Sequence, residues 1–174
     1  MNADSSPRGA PRQITRNNFA DIDPDWSPDG SVIAFASEAE GRGLFEIYTI
    51  EPNGANLTRI TNASGSNTFP RWSPDMSAIV FVSDRTGRSN IYIMEPNGNS
   101  QRLLTFGVGR AQNIAPAWSA DGLWIAFASD RPVSGRLDKF NWYVMDGRGE
   151  NVAPIAITAR TPQSIVFLPS LRLN

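Results

Sequence analysis

PDWSPDGSVIAFAS, residues 24–37, is the stretch that determines the fold, because versions of it return twice in the chain. The second version is PRWSPDMSAIVFVS at 70–83, and the third is PAWSADGLWIAFAS at 116–129. The tryptophans of the three versions stand 46 residues apart, at Trp26, Trp72 and Trp118. Three such phrases at one spacing indicate tandem copies of a single structural unit.

Each copy carries the pattern of four short strands. Alternating β-branched and aromatic residues predict a strand on either side of Ser-Pro-Asp-Gly, a turn in which proline fixes φ and glycine permits a positive φ. A third strand with an aromatic centre follows in EIYTIEPNG at 46–54, NIYIMEPNG at 90–98 and NWYVMDGRG at 141–149. A short fourth strand ends each copy, in TRIT at 58–61, RLLT at 102–105 and PIAIT at 154–158.

We therefore expect an all-β fold, a β-propeller of four-stranded antiparallel blades with about three blades in this chain. The predicted strands are 20–26, 32–37, 45–51, 57–61, 68–72, 78–83, 90–95, 102–105, 114–118, 124–129, 141–146 and 154–158. The blades span about 16–61, 62–105 and 106–158, with a strand RQIT at 12–15 before them. Residues 1–11 are expected to form a flexible leader without the apolar core of a secretory signal, and 159–174 a degenerate partial repeat or tail.

The composition narrows the range of functions. The 174 residues include no cysteine and no histidine, which removes thiol nucleophiles, disulfides, the usual zinc ligands and histidine bases. Gly-x-Ser-x-Gly and Walker motifs are absent as well. The net charge is −1 and Lys139 is the only lysine, so there is no basic stripe for nucleic acid, and no run is long enough for a membrane helix. We expect no catalytic residue, no metal and no cofactor.

The repeated phrases resemble the TolB-type, WD40-like β-propeller repeat family over about residues 12–158. The marks are Pro-x-Trp-Ser-Pro-Asp-Gly, Ile-Ala-Phe, Ser-Asp-Arg, Ile-Tyr and Leu-Thr. This chain departs from them at Met76 in place of glycine, at Ala120 in place of proline, and at Ser37-Glu38-Ala39 in place of Ser-Asp-Arg. The resemblance implies a non-enzymatic protein-binding or scaffold module in the periplasm or elsewhere outside the cytoplasm. The alternatives are the propeller cap or fragment of a larger peptidase, hydrolase or sensor protein, and a self-assembling half-propeller.

The connections that vary in length predict a binding face. Strands of a blade alternate in direction, so the connections from second to third strand and from one blade to the next share one face. Variable loops gathered on one face are often the binding surface of a repeat protein. The longest is DRPVSGRLDKFN at 130–141, and its candidate binding residues are Arg136, Lys139 and Phe140.

Polar residues of the repeats are further candidates. Asp21, Asn67 and Asn113 occupy matching positions and are expected to form a polar ring near the mouth of the axial tunnel. In an extended strand Asp23 and Asp25 would point the same way as Asp21, so this cluster either holds a cation or water through oxygen atoms or forms a solvated, charge-rich loop.

Two recurring residue types remain, each with a structural interpretation. The arginines of Ser-Asp-Arg, Arg85 and Arg131, either contact a ligand or brace a loop by bonding backbone carbonyls or the neighbouring aspartate. The three repeated tryptophans are interpreted as packing anchors between blades.

The resemblance implies a ring of six blades, and three blades of such a ring would expose a flat apolar face at each end. Such patches exceed what soluble monomers usually tolerate. Two copies related by a two-fold axis would complete six blades, so we expect a homodimer, with another protein as a further partner. Residues 12–15 would pair with the terminal blade of the other subunit, or the tail around 164–170 would cover an edge instead. Both cannot take one position, because PIAIT at 154–158 already supplies a fourth strand.

Overall fold

The computed structural model describes residues 12–38, 41, 43–105, 110–132 and 140–155. These residues form three four-stranded antiparallel sheets, in each of which the strands lie side by side in chain order. Blade 1 contains β1 (Asp21–Trp26), β2 (Ile33–Ser37), β3 (Glu46–Ile50) and β4 (Thr58–Arg59); blade 2 contains β5 (Asn67–Trp72), β6 (Ile79–Ser83), β7 (Asn90–Met94) and β8 (Arg102–Leu103); blade 3 contains β9 (Asn113–Trp118), β10 (Trp124–Ser129), β11 (Asn141–Asp146) and β12 (Ala153–Pro154). The predicted all-β fold of four-stranded blades is confirmed.

The fourth strands of blades 1 and 2 are shorter than predicted, and a threonine accounts for this in both. In blade 3 the predicted residues 156–158 lie outside the described part of the chain. The Ile47 backbone N–H donates to Thr61 Oγ1 at 2.7 Å, and the Ile91 N–H donates to Thr105 Oγ1 at 3.1 Å. The hydroxyl thus replaces the carbonyl that a longer strand would offer. Within the described part of the chain no helix is long and apolar enough to cross a membrane.

The Ser-Pro-Asp-Gly turn is closed by its own side chains. Ser27 Oγ donates to Asp29 Oδ1 at 2.6 Å and accepts the Val32 N–H at 3.0 Å, while Gly30 takes a φ of +72°. The second and third copies repeat both bonds. Met76 stands at the glycine position with a φ of +61°, which is unfavourable for a side chain with a Cβ.

Each inner strand contains a bulge at its third residue. The pairing with the second strand shifts register there, and φ is +55° at Asp23, +52° at Phe69 and +52° at Ala115. The bulge breaks the alternation of side chains, so the expected convergence of Asp21, Asp23 and Asp25 is wrong. In the described residues no group of three acidic side chains could hold a metal ion. The Asp25 carboxylate instead accepts the backbone N–H of Trp72 in the next blade at 2.8 Å.

The hydrophobic core lies between the blades. Blade 1 packs against blade 2 through Ala34, Ala36, Ile47, Ile60, Ile79, Phe81, Tyr92 and Met94. Blade 2 packs against blade 3 through the matching positions Val80, Val82, Ile91, Ile93, Leu104, Ile125, Phe127, Tyr143 and Met145. Each blade therefore packs one face against the preceding blade and the other face against the following blade. We call these the first face and the second face of a blade.

The repeated tryptophans differ according to whether a blade precedes them. Trp72 and Trp118 are partly buried and pack against the two interblade clusters, as predicted. Trp118 Nε1 also donates to the Arg71 carbonyl of the preceding blade at 3.3 Å. Trp26 belongs to the first blade and is 54% exposed. The interpretation as an interblade anchor therefore does not apply to Trp26 within this chain.

Residues 12–15 lie where the fourth strand of a preceding blade would lie. In blades 2 and 3 the turn after the third strand approaches the preceding blade at Ile60 and at Leu104, respectively. In blade 1 the same turn, at Gly54, approaches the Ile14 carbonyl, and a Cβ at position 54 would stand 3.3 Å from that oxygen. Ile14 also packs against Ile33, Phe35, Tyr48 and Ile50 on the first face of blade 1.

Candidate binding face

The predicted binding face begins with one row of polar residues in each blade. Strand pairing places Asp21 opposite Ser37 and Ser37 opposite Glu46 in blade 1. The matching rows are Asn67, Ser83 and Asn90 in blade 2, and Asn113, Ser129 and Asn141 in blade 3. The connection from the second to the third strand and the connection between blades both leave the sheet at this row. We call the surface that these connections form the loop face.

In blade 2 the arginine of Ser-Asp-Arg is held by side chains of its own blade. Arg85 Nη2 donates to Asn67 Oδ1 at 2.8 Å, and Nε donates to Ser83 Oγ at 2.8 Å. The guanidinium also lies over two aromatic rings, 5.5 Å from the Phe81 centroid and 4.7 Å from the Tyr92 centroid. Burial lowers the pKa of Arg85, with Tyr92 and Glu46 acting in the opposite direction.

Arg131 of blade 3 repeats these four contacts of Arg85. Its Nη2 donates to Asn113 Oδ1 at 3.1 Å and its Nε to Ser129 Oγ at 3.0 Å. The guanidinium lies 5.1 Å from the Phe127 centroid and 4.5 Å from the Tyr143 centroid. The two arginines therefore bond side chains and aromatic rings, in place of the backbone carbonyls or aspartates considered from the sequence.

Asn67 and Asn113 also join neighbouring blades. Both are fully buried. Asn67 Nδ2 donates to Glu46 Oε2 of blade 1 at 2.8 Å, and Asn113 Nδ2 donates to Asn90 Oδ1 of blade 2 at 3.0 Å. The predicted ring positions are thus occupied in blades 2 and 3 by amides that use their donors and acceptors inside the protein, and we call these two bonds the interblade clasps.

Sequence reasoning did not identify the partners in these clasps. Thr61 Oγ1 donates to Glu46 Oε2 at 2.5 Å, and Thr105 Oγ1 donates to Asn90 Oδ1 at 2.9 Å. The recurrence of a polar residue at the start of each third strand, together with the threonine that ends the copy, was the available signal. The aspartate of Ser-Asp-Arg has a separate role, since Asp84 Oδ1 accepts the Ser66 N–H at 2.7 Å and so holds the connection between blades.

Blade 1 has the same row without the arginine. Asp21 takes the position of the two asparagines, and its carboxylate accepts the Asn17 amide at 3.1 and 3.4 Å. Phe35 and Tyr48 form the same ring pair as in the other blades, with centroids 6.0 Å apart. Ser37 is 2% exposed, and its Oγ has no hydrogen-bond partner among the residues that the structure describes. Burial raises the pKa of Tyr48, and the negative charges of Glu46 and Asp21 raise it further.

A cavity of about 340 Å³ lies beside this row, between residues 12–15 and the first face of blade 1. Its charged lining residues are Asp21 and Arg12, and its apolar lining is formed by Ile14, Ile22, Pro24, Ile33, Phe35 and Ile50. In blades 2 and 3 the corresponding face is covered by the preceding blade. The cavity is therefore an opening on an interblade surface.

Asp23 and Phe140 are the remaining predicted residues that the structure describes. Asp23 lies at the bulge of β1, and its Oδ2 is buried with no hydrogen-bond partner among the described residues. Phe140 lies at the end of the long loop and is 47% exposed. Arg136 and Lys139 lie outside the described residues, so their role in binding stays a prediction.

Comparison with known proteins agrees with the fold and the repeat. The family model described as the TolB beta propeller domain matches residues 9–141. The Tol-Pal system protein TolB of Zymomonas mobilis is 43% identical over 60 residues, which cover 34% of this chain and 13% of that protein. A TolB structure from Agrobacterium tumefaciens superposes with a TM-score of 0.72 at 28% identity, covering 84% of this chain and 52% of that chain.

A more distant structure shares the fold alone. The puromycin-hydrolyzing peptidase of Mycobacterium tuberculosis superposes with a TM-score of 0.63 at 16% identity, covering 80% of this chain and 24% of that chain. The chain thus matches about half the length of the Agrobacterium structure and a smaller part of the other two proteins.

Proposed function

The chain belongs to the TolB β-propeller domain family, and from that premise we propose that it is a non-enzymatic protein-binding module that works outside the cytoplasm. The name of the Zymomonas relative places that protein in the Tol-Pal system. We propose a component of such a system as one partner of this chain and a second copy of the chain as another.

The observation that carries the proposal is the exposure of apolar side chains on the two terminal blade faces. Trp142 of blade 3 is 45% exposed, whereas the matching Ile47 and Ile91 are fully buried by the following blade. At the other end Ile22 is 38% exposed and Trp26 is 54% exposed. Contiguous exposed apolar side chains of this kind are typical of protein interfaces, and here their counterparts in the other blades are buried or partly buried.

The second copy is favoured because the two faces match. Inside the chain the second face of one blade packs on the first face of the next, twice, through equivalent residues. Placing blade 3 of one copy against blade 1 of another repeats that contact a third time, and a two-fold axis then closes six blades.

Closing the six-blade ring from two copies requires one segment of the chain to move. Residues 12–15 lie in the place that β12 (Ala153–Pro154) of the other copy would take, so one of the two segments must leave it. Removal of residues 1–15 therefore tests closure. It strengthens the dimer if residues 12–15 are the segment that leaves, and weakens it if they exchange onto the other copy.

Sedimentation equilibrium of the purified chain at micromolar concentration tests the homodimer. We expect twice the monomer mass, and Trp142→Asp should return the chain to the monomer because it places a charge in the contact. Leu123→Asp is the matched control, since Leu123 is 63% exposed and lies in the turn at the opposite end of the blade from the loop face. A wild-type monomer, or equal dissociation of both variants, would overturn the homodimer.

The loop face is the proposed contact for a different protein. Phe140 is an exposed aromatic residue of this face, and Arg136 and Lys139 add positive charge to the same loop in the sequence. Calorimetric titration against the individually purified proteins of the Tol-Pal system should identify a partner whose affinity falls in Phe140→Ser, with unfolding unchanged. Absence of binding to every component would refute this partner class.

A further inference from the structure

Two blades of the chain hold an arginine against the same four side chains, which we call its seat, and blade 1 has residues at the four corresponding positions. In blade 2 the members are Asn67, Phe81, Ser83 and Tyr92, and in blade 3 they are Asn113, Phe127, Ser129 and Tyr143. In blade 2 the arginine also donates to Gln101 Oε1 at 2.8 Å. Strand pairing places Asp21, Phe35, Ser37 and Tyr48 at the same positions in blade 1. We call these four residues the blade-1 seat.

The blade-1 seat has no arginine of its own blade at the corresponding position. Ser37-Glu38-Ala39 stands where the other blades have Ser-Asp-Arg, so position 39 carries a methyl group. Consistent with this, Ser37 Oγ is buried and has no hydrogen-bond partner in the described part of the chain, whereas Ser83 Oγ and Ser129 Oγ each accept an arginine Nε–H, at 2.8 and 3.0 Å. An unpaired buried hydroxyl costs free energy that a donor would recover.

The blade-1 seat is more negative than the other two. A carboxylate at position 21 replaces the asparagine amide, and a carboxylate accepts a guanidinium through two charged hydrogen bonds. The amide of Asn17 that donates to Asp21 is uncharged, so this hydrogen bond does not neutralise the carboxylate. Phe35 and Tyr48 are 4% and 9% exposed, and their centroids lie 6.0 Å apart. They form the same buried ring pair that lies beneath the arginine in blades 2 and 3, and such rings attract a planar cation.

We propose that the blade-1 seat binds the guanidinium of an arginine side chain that a partner protein inserts into it. The arginine is assigned to a protein on the basis of the proposed function. The cavity of about 340 Å³ shares Asp21 and Phe35 with the seat, and its apolar lining accommodates an apolar residue next to that arginine. Lysine is disfavoured, because its ammonium lacks the planar fork that contacts Asp21, Ser37 and both rings together.

The first test supplies the arginine within the chain. Ala39→Arg restores the Ser-x-Arg spacing of blades 2 and 3, and we expect it to raise the melting temperature by about 4 °C. Ala39→Lys is the matched control, with the charge but without the fork, and it should change the melting temperature by less than about 1 °C. Equal melting of the two variants would overturn the proposal.

The second test uses N-acetylarginine amide as the probe and follows the backbone amide signals by nuclear magnetic resonance. We expect saturable shifts at Ser37 and Tyr48 in the wild type, at least about fivefold weaker binding of N-acetyllysine amide, and loss of the shifts in Ala39→Arg. No saturable shift, or an unchanged shift in Ala39→Arg, would contradict the assignment.

The two proposals fail separately. If the chain forms its homodimer and the arginine probe does not bind, the blade-1 seat is wrong and the binding module stands. If the probe binds while the chain sediments as a monomer and binds no component of a Tol-Pal system, the seat stands and the proposed partners are wrong.

Discussion

Gly98 and Ile60 lie so close that a Cβ at position 98 would stand 2.0 Å from the Ile60 carbonyl oxygen. The contact joins blades 1 and 2 through backbone alone. Gly98→Ala should therefore cost about 3 kcal/mol in the free energy of unfolding, because the blades must separate locally to admit the methyl group. Urea denaturation followed by tryptophan fluorescence measures this.

Gly87 provides the control for that substitution. It has the same φ of +86° as Gly98, but no atom lies within 4 Å of the position that a Cβ would take. Gly87→Ala should cost only the strain of the left-handed backbone, about 1 kcal/mol. A similar loss for both variants would show that the approach to Ile60 is not tight.

Arg85 is expected to stabilise blade 2 from within. Arg85→Met leaves Asn67 Oδ1, Ser83 Oγ and Gln101 Oε1 without the guanidinium as donor and should cost about 2 kcal/mol. Arg88, exposed in the same loop, is the control, and Arg88→Met should change the free energy of unfolding by less than about 0.5 kcal/mol. An unchanged free energy of unfolding in Arg85→Met would exclude the bracing role.

The tryptophans should rank by their interblade packing. Trp72→Ala removes a ring that packs against the cluster between blades 1 and 2, and it should cost about 3 kcal/mol. Trp26→Ala should cost less than about 1 kcal/mol in the monomer, since Trp26 is 54% exposed. Thermal melting of both variants at low protein concentration checks the ranking, which equal destabilisation would refute.

Met76→Gly should stabilise the chain. Its φ of +61° is natural for glycine and strained for methionine, so the substitution should gain about 1 kcal/mol. The reverse change, Gly30→Met, should lose about the same amount, because no atom obstructs a side chain at Gly30 and only φ matters there. Opposite shifts of the urea midpoint are expected, and shifts of one sign would argue against backbone strain as the cause.

Acid should weaken the turns between first and second strands. The hydrogen bond from Ser73 lowers the pKa of Asp75, and bonds from Ser77 add to the effect. A folded-state pKa below the unfolded value of about 3.9 contributes stability that is complete above that value and is lost as pH falls through the lower folded pKa. The urea midpoint should therefore decline as pH falls below about 4.

Ser73→Ala tests that cause directly. The pKa of Asp75 should rise toward its ordinary value in a titration of carboxyl signals by nuclear magnetic resonance, and the acid dependence of stability should become less steep. Ser64→Ala, an exposed serine in another loop, should leave the Asp75 titration unchanged. An Asp75 pKa that does not respond to Ser73→Ala would refute the assigned hydrogen bond.

Features contained within one repeat can be predicted from the sequence. Both ends of the strand β10 (Trp124–Ser129) agree with the prediction, because turn residues and β-branched residues mark them. The prediction for β4 (Thr58–Arg59) is too long, because Thr61 replaces a ladder bond through its hydroxyl, a choice that the apolar-threonine pattern does not reveal.

Features that depend on two repeats, or on backbone geometry alone, could not be predicted. The bulge places Asp23, Phe69 and Ala115 at positive φ, and these three side chains have no chemistry in common that would signal it. Asn67 is recognisable as a repeated polar residue, but its bond to Glu46 crosses from one blade to another and becomes visible only when the blades are packed.

The interblade clasps have a consequence for synthesis of the chain. Asn67 bonds a residue 21 positions earlier, and Asn113 bonds a residue 23 positions earlier. Both partners of a clasp are therefore synthesised within about five seconds of each other, at typical elongation rates. Blades of this design can dock in order while the ribosome still holds the following repeat, so an exposed blade face waits for its neighbour only briefly.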